Sequence, residues 1–587
     1  MTHRRSPRPL MLVAMLAGSA LAGCTMTPSR GPGPIARTTQ GCAALAAGTT
    51  AWPDPTMRIL TAVPHTAGQV VDAGFGLKTP PLPAHCEVTG ILHERTGQDG
   101  QPYAIRFHMR LPDAWNGRFL FQGGGGTNGD VGTAVGLFAP SQPPALLQGY
   151  AIISQDSGHS NTLNGDPARG GAVSFGFDAE ARRDYGHASL KTSYDAARAI
   201  LLRHYGNAPI HSYFAGWSKG GQEGMAFAQR YPDAFDGILA AAPGFALPKA
   251  ALAEAWDTQT YAALVRTAGE PSVPIARLAS AFSDADLMIA RQAVLTACDA
   301  KDGLADGLVN AFAQCTSATV LPALRARTCT AGKTATCLAP EQVEALVRGY
   351  GGPRNSRGAP LYASFPWDAG MADMGWRIWK LGTTARGPVP AIPAINAAMG
   401  APALATIFST PPRLLTATPQ GGMDEQLAFD FDTGPAAIFA TAPGFPRSGW
   451  EDIGMRSSDL SRFRAHGGKM IVPQGVSDPV FSLNDTLAWW GDVDRRTRGR
   501  AASFVRVFPV PGMGHCAGGP ATDQFDAFVA LVDWVEHGIA PDRIVATAGP
   551  ATPWPGRSRP LCPFPLVARP VDGATDTEKA TAFACSR

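Results

Sequence analysis

Ser218 stands in "GWSKGG", residues Gly216 to Gly221, between a strand-like run, "HSYFAGW", and a helical pattern, "KGGQEGMAFAQRYP". Gly216, Ser218 and Gly220 fit G-x-S-x-G, the pattern of a nucleophile elbow, in which flanking glycines permit the tight strand-to-helix turn that lifts the hydroxyl into the open. A serine hydroxyl is a weak nucleophile at neutral pH. It needs a base within hydrogen-bond reach, itself oriented by a carboxylate. In sheets that carry such an elbow, the acid and then the base follow the serine along the chain. Only His466, His515 and His537 lie after Ser218. His466 precedes a strand pattern and His537 falls late in the amphipathic helix "DQFDAFVALVDWVEHG", whereas His515 lies in "VPGMGHCAGG", a Gly-rich loop directly after a strand, where function concentrates. Asp478, in "PQGVSDPVF", occupies the same kind of strand end. Asp485 competes with it but follows "SLN" at a helix start, where an acidic residue is usually structural.

Attack by serine builds an oxyanion that needs backbone N–H donors set in advance. The amide of Lys219, next after the nucleophile, is one candidate. The glycine run Gly123 to Gly126, after the early strand "GRFLFQ", supplies the other, with Gly125 and Gly126 expected to face the substrate. Asp156 and His159 in "QDSGHS" form a second acid–base pair on paper, but both precede the nucleophile and read as loop-shaping residues.

From about Ile105 to Ala240 apolar runs alternate with helical patterns: "GRFLFQ", "YAIISQD", a helix closing at Gly206, "HSYFAGWS", a helix, then "DGILAAAPG". This β-α-β-α-β order predicts an α/β fold with a parallel sheet, and with the elbow it predicts an α/β-hydrolase core. The rhythm breaks between roughly Pro248 and Leu460, which reads as a large inserted, mainly helical lid domain, and resumes at "GGKMIVPQG" and "SFVRVFPVPG". The expected division is a signal at 1–23, a tether at 24–41, core at 42–247, lid at 248–458 and core again at 459–587. Within the lid, "FPWDAGMADMGWRIWK" gathers Phe365, Trp367, Trp376 and Trp379, which either line an aromatic pocket or form core.

A chain of 587 residues exceeds what one core usually supports, consistent with two folding units. Its 45% hydrophobic content, 17% charged content and net charge of +3 are those of an ordinary globular protein, with no basic stripe to track nucleic acid. Arg4, Arg5 and Arg8 followed by "LMLVAMLAGSALAG" form a secretory signal too short to span a membrane comfortably. It ends in "LAGC", which resembles a bacterial lipoprotein signal with Cys24 lipidated. The expected location is therefore outside the cytoplasm, as a periplasmic or outer-membrane lipoprotein or a secreted protein, with the lipid as the sole membrane contact. Export permits disulfides. Near neighbours suggest Cys298 with Cys315, Cys329 with Cys337 and Cys562 with Cys585, leaving Cys42 and Cys86 to pair and Cys516 as the orphan.

Taken together, "GWSKGGQEG", "GVSDPVF" and "PGMGHCAGG" resemble the tannase and feruloyl esterase family, which includes the mono(hydroxyethyl) terephthalate hydrolases. The resemblance covers nearly the whole mature chain. It implies hydrolysis of small-molecule esters of aromatic acids by Ser218, Asp478 and His515 through an acyl-enzyme. It also implies a structural Ca2+ in the lid loop "CDAKDGLADGLVN", bound by the side chains of Asp299, Asp302 and Asp306 and the carbonyls of Leu304 and Leu308; crowded oxygen ligands suit a hard cation. One position departs from the family. Its members usually carry a Cys just before the nucleophile, bonded to the Cys just after the histidine. Here Trp217 stands at that first position, so Cys516 loses its partner, and packing of Trp217 over Cys516 is the expected replacement. Two other readings remain open: hydrolysis of other esters, such as hydroxyalkanoate oligomers, and a non-catalytic lipid-anchored binding protein on the same fold. Oligomeric state leaves no trace in the sequence.

Overall fold

In the computed structural model, residues 39–48, 51–74, 77–137, 142–270 and 272–587 are described. Cys24, the signal and the tether up to residue 38 lie outside them. The chain builds a nine-stranded sheet from β1 (Arg58–His65), β2 (His85–Thr96), β3 (Pro102–Pro112), β4 (Arg118–Gln122), β5 (Ala151–Gln155), β6 (His211–Trp217), β7 (Gly237–Ala241), β8 (Lys469–Gly475) and β9 (Val505–Val510). Their order is β1-β2-β3-β5-β4-β6-β7-β8-β9. The first three strands and β5 pair antiparallel, and from β5 onward every pair is parallel.

The strands of the parallel half are apolar on both faces because both faces are covered. Phe119 and Phe121 of β4 join one core cluster with Phe214, Ile238, Met470 and Val472, while Leu120 between them joins the other with Tyr213, Leu239 and Ile471. Against the first face pack α1 (Ser189–Tyr205), through Ile200 and Leu201, and α2 (Lys219–Arg230), through Met225 and Phe227. Gly206, at φ +76°, stops α1 where the sequence placed its end.

Between β7 and β8 no strand joins this sheet among the described residues. The intervening chain is the helical insert, which includes α3 (Leu247–Ala262), α4 (Asp284–Cys298), α5 (Pro340–Tyr350) and α6 (Met374–Lys380). It has its own aromatic interior: Trp367 stacks on Tyr350 at 4.0 Å and Trp376 meets Tyr261 edge-on. After the insert come α7 (Leu483–Arg496) and α8 (Ala527–His537), the latter covering the sheet's second face with Phe528, Leu531 and Trp534. The four cysteine pairs join as the spacing suggests: Cys42–Cys86, Cys298–Cys315, Cys329–Cys337 and Cys562–Cys585. Each closes a loop, a constraint typically contributing about 2–4 kcal/mol.

The antiparallel edge holds a polar cluster that periodicity does not reveal. Glu87 of β2 pairs with His65 of β1 at 2.6 Å and with His108 and Arg110 of β3 at 2.8 Å each. His65, His85 and Glu87 are close enough to chelate, but Arg110 Nη1 already lies 2.6 Å from His85 Nε2. The guanidinium supplies the positive charge a metal would bring. The hydrogen bond from His108, with the charges of Arg110 and His65, outweighs burial and brings the Glu87 carboxyl down from 4.5 to about 2. A carboxylate with a depressed folded pKa gives stability that is complete above its unfolded value and is lost as pH falls through the folded one. Glu87→Gln is therefore expected to lower Tm at pH 7, with the deficit against wild type narrowing as melts are taken below pH 4.5. A deficit constant down to acid pH would contradict the assignment.

Candidate active site

Four loops at the carboxyl ends of parallel strands meet at one end of the sheet: Gly123–Gly126 after β4, Ser218 after β6, Asp478 after β8 and His515 after β9. That end is where open α/β sheets bind ligands. Ser218 sits between β6 and α2 with φ +59° and ψ −118°, a conformation that ordinary residues avoid. Its N–H donates to Ala241 O at 3.0 Å, and its carbonyl accepts from Gln222 N and Gly244 N at 3.1 Å each, so the turn is bound on all sides. A Cβ on Gly216 would lie 2.6 Å from the backbone of Gly220, and one on Gly220 would lie 2.6 Å from Gly124 O. The first turn of α2 thus rests on both strand end and glycine loop.

His515 closes the arrangement. Its Nε2 lies 2.9 Å from Ser218 Oγ and its Nδ1 3.0 Å from Asp478 Oδ2. Asp478 Oδ1 accepts from Val480 N at 2.9 Å and Phe481 N at 3.1 Å, which orients the carboxylate and leaves Oδ2 for the imidazole. The carboxylate faces Nδ1–H, so Nε2 is left to accept the serine proton. Trp379 and Phe481 flank the ring edge-to-face at 5.5 and 5.2 Å. Burial disfavours the imidazolium, yet the charge of Asp478, with Cys516 beside it, carries the His515 pKa well above its ordinary value.

The oxyanion candidates are set by a residue the sequence reading passed over. Glu223 of α2 accepts from Gly124 N at 3.0 Å, Asn128 Nδ2 at 2.8 Å and Lys219 Nζ at 3.0 Å. The glycine loop is thereby fastened to the nucleophile helix. Lys219, 1% exposed, lies 4.5 Å above the Tyr185 ring, and Tyr185 OH donates to Gly126 O at 3.3 Å. Among the described residues, the N–H groups of Lys219, Gly125 and Gly126 have no hydrogen-bond acceptor and stay available for an anion. The Lys219–Glu223 spacing of four on a helix was the signal that could have exposed Glu223.

Other candidates separate cleanly. Asp156 accepts from Arg106 N and Gly158 N and shapes its loop, and His159 is buried against Phe175 at 3.8 Å. His466 and His537 sit beside Asp236 and Asp533, and Asp485 pairs with Arg456. Of the four lid aromatics only Trp379 packs on His515, whereas Trp367 and Trp376 are lid core and Phe365 lies under Lys380. Cys516 is free. Trp217 packs against the second core cluster, which includes Met513 of the histidine loop.

The loop expected to hold calcium gathers its oxygens within ten residues beside the Cys298–Cys315 bridge. Asp299 accepts from Gly307 N, Asp302 from Leu304 N and Asn310 N, and Asp306 from Leu308 N. Asp306 also pairs with Arg559. Burial, with the charge of Asp306 adding to it, raises Asp302 to about 6 and moves Asp299 upward. Crowded, desolvated carboxylates of this kind are suited to a hard cation.

A parallel sheet that brings an elbow serine, a histidine and an aspartate together at its carboxyl end defines an α/β-hydrolase with a helical insert. The chain belongs to the tannase and feruloyl esterase family, whose sequence model matches residues 86–586, and it is a carboxylic ester hydrolase. It is 43% identical over 527 residues to a mono(2-hydroxyethyl) terephthalate hydrolase of Piscinibacter sakaiensis, covering 86% of this chain and 85% of that one. It is 27% identical to a probable feruloyl esterase of Arthroderma benhamiae over 82% of each chain. Among solved structures, an esterase from Aspergillus oryzae aligns with TM-score 0.71 at 21% identity, covering 94% of this chain and all of that one. A tannin acyl hydrolase from Aspergillus niger aligns with TM-score 0.63 at 20% identity over 92% and 93% of the two chains. The structural likenesses speak to the fold.

Because a base must be neutral to accept a proton, a raised His515 pKa places the acid limb of the kcat/KM profile above pH 6.5. Asp478→Asn is expected to move that limb downward and to lower kcat by roughly three to four orders of magnitude. An unmoved limb in the variant would remove Asp478 from the proton path.

Proposed function

We propose that this protein hydrolyses esters of aromatic carboxylic acids by a two-step, acyl-enzyme mechanism at Ser218. The observation that carries the proposal is the continuous chain of hydrogen bonds from Ser218 Oγ through His515 to Asp478. Ser218 Oγ attacks the ester carbonyl carbon as His515 Nε2 takes its proton. The carbonyl oxygen becomes an alkoxide facing the N–H groups of Lys219 and of Gly125 or Gly126. Asp478 stabilises the imidazolium and holds its orientation. Collapse of the tetrahedral intermediate breaks the C–O bond of the ester, and the departing alcohol carries away the proton from His515. Water then attacks the acyl-enzyme with His515 again as base, releasing the acid and restoring the Ser218 hydroxyl.

The aromatic preference is supported by the terephthalate and feruloyl esters named for the relatives, and by Trp379 and Phe481 standing beside the catalytic ring. The direct test is a panel of feruloyl, galloyl, mono-terephthaloyl and hydroxybutyryl esters, run on wild type and Ser218→Ala. Turnover of the aromatic esters, falling by roughly a million-fold in the variant, is expected. Preference for hydroxybutyryl esters would overturn the substrate class, and an active Ser218→Ala would overturn the nucleophile.

Asp299, Asp302 and Asp306, with the carbonyls of Leu304 and Leu308, would hold a Ca2+ that offsets their mutual repulsion and fixes the insert's base. Its contribution is structural. Chelation with EGTA is expected to lower Tm, and added Ca2+ to restore it, with kcat on the still-folded protein nearly unchanged. Loss of activity at unchanged Tm would contradict this role. Export is supported by the four disulfides. The lipid anchor at Cys24 stays part of the proposal, and among the described residues no helix is long and apolar enough to cross a membrane.

A further inference from the structure

We propose that Asp368, carried by the helical insert, is a positioning residue for the hydrolytic centre, tying the loop that bears Asp478 to the loop that bears His515. The proposal rests on the ester-hydrolase reading above. Asp368 is 1% exposed, and its Oδ2 accepts two hydrogen bonds of 2.7 Å, one from Ser477 Oγ and one from Gly512 N. Ser477 immediately precedes Asp478. Gly512 lies three residues before His515. One oxygen atom of the insert therefore joins the approaches to both partners of the serine.

The surrounding backbone is fitted to this contact. Gly370 N donates to Ser477 Oγ at 2.9 Å, and a Cβ at Gly370 would lie 2.5 Å from both Gly512 O and Ser477. Ser477 N in turn donates to Met513 O at 3.0 Å. The insert thus presses two residues, Asp368 and Gly370, into the seam between the acid loop and the histidine loop. Among the described residues no disulfide spans that seam or joins it to the elbow, and Cys516 is free.

The arrangement is poorly explained as a device for stability alone. Asp368 Oδ1 is buried and has no hydrogen-bond partner among the described residues. A buried acceptor left unpaired is destabilising. Burial raises the Asp368 pKa, against the opposing effects of Ser477, the backbones of Gly512 and Ala369, and the charge of Arg291. One oxygen that accepts two short hydrogen bonds from separate loops nevertheless fixes the position of each loop relative to the other. Geometry is what the centre requires: a misplacement of about 1 Å can cost on the order of a hundredfold in rate. Local destabilisation in exchange for a fixed site is characteristic of functional positions.

The insert consequently does more than cover the site. It contributes a strut to the frame on which Asp478 and His515 are mounted, so a change in the insert is read by the triad through Ser477 and Gly512.

The test uses the full-length protein, p-nitrophenyl acetate as substrate, and three variants: Asp368→Asn, Ser477→Ala and the double substitution. Asparagine keeps an acceptor oxygen while removing the charge. The expected result is a fall in kcat of about 10- to 100-fold with KM changed less than about twofold, Tm unchanged or raised, and the acid limb of kcat/KM moved to lower pH as the grip of Asp478 on His515 loosens. Ser477→Ala should change kcat and the limb in the same direction. The double variant should lose less than the sum of the two single losses, because both substitutions break the Asp368–Ser477 link. Unchanged kcat in the single variants, additive losses in the double variant, or a loss accounted for by unfolded protein with an unmoved limb would overturn the proposal. Should Asp368→Asn fail to fold, Ser477→Ala, which removes only a hydroxyl, decides alone through kcat and the limb. Wild type and Ser218→Ala run alongside keep the two ideas apart: activity lost in Ser218→Ala with Asp368→Asn fully active sinks this inference and leaves the ester-hydrolase reading standing.

Discussion

The active end of this protein depends on how closely α2 approaches the carboxyl ends of β4 and β6. That approach is a matter of missing side chains. Gly216 and Gly220 meet at distances no Cβ could occupy, and Gly220 in turn lies against the carbonyl of Gly124. With the helix seated so deeply, the residue joining strand to helix has nowhere to go but the positive-φ conformation found at Ser218. The same seating brings Glu223, one turn further along α2, within reach of Gly124 N and Asn128. Ser218 and the glycine loop are consequently positioned by a single packing event, and a defect in one is a defect in the other.

The charges around the centre follow from that seating. Lys219 and Glu223 are both buried and lie 3.0 Å apart, an ion pair that would leave an uncompensated charge in the interior if either member were lost. Their mutual neutralisation lets the loop be held by a carboxylate without leaving a net negative charge beside Ser218. On the other side, Asp478 directs one oxygen at backbone N–H groups and the other at His515, so its orientation is fixed before the imidazole is considered. Ser218 is set by the backbone of its turn and Asp478 by two backbone N–H groups, and His515 is held between their side chains.

The sequence exposed the parts of this arrangement that are local in the chain. The elbow, the strands on either side of it and the loops after β8 and β9 are each contained in about ten residues, and their apolar runs and glycines have no other simple reading. Asp478 and His515 were legible because chain order and strand-end position are linear properties. Three of the cysteine pairs were legible for the same reason, since they join near neighbours, and Cys42–Cys86 is the pair that remains. What stayed hidden is made by pairing distant segments. The antiparallel strands β1 to β3 alternate too irregularly to stand out, and the cluster of Glu87 with His65, His108 and Arg110 exists only once three strands are in register. Glu223, Tyr185 and Asp368 each act on a residue far away in sequence. The lid aromatics show the limit sharply: four such residues crowd one segment, yet Trp379 is the one that packs on the catalytic ring, because helix direction and not composition decides which face meets the core.

The distribution of the disulfides has a consequence of its own. The bridges close loops spanning 44, 17, 8 and 23 residues, and none crosses from the segment that contains Ser218 to the segment that contains His515. Apart from the main chain running through the insert, the two halves of the centre are held together by non-covalent contact alone, with β7 and β8 matched over three residue pairs at the junction. A polypeptide emerging from the ribosome therefore carries Ser218 for some 300 residues of synthesis before His515 exists. Cutting the finished protein within the insert, outside the loops closed by Cys298–Cys315 and Cys329–Cys337, would leave two chains held together by the sheet, its packed helices and the insert's own contacts.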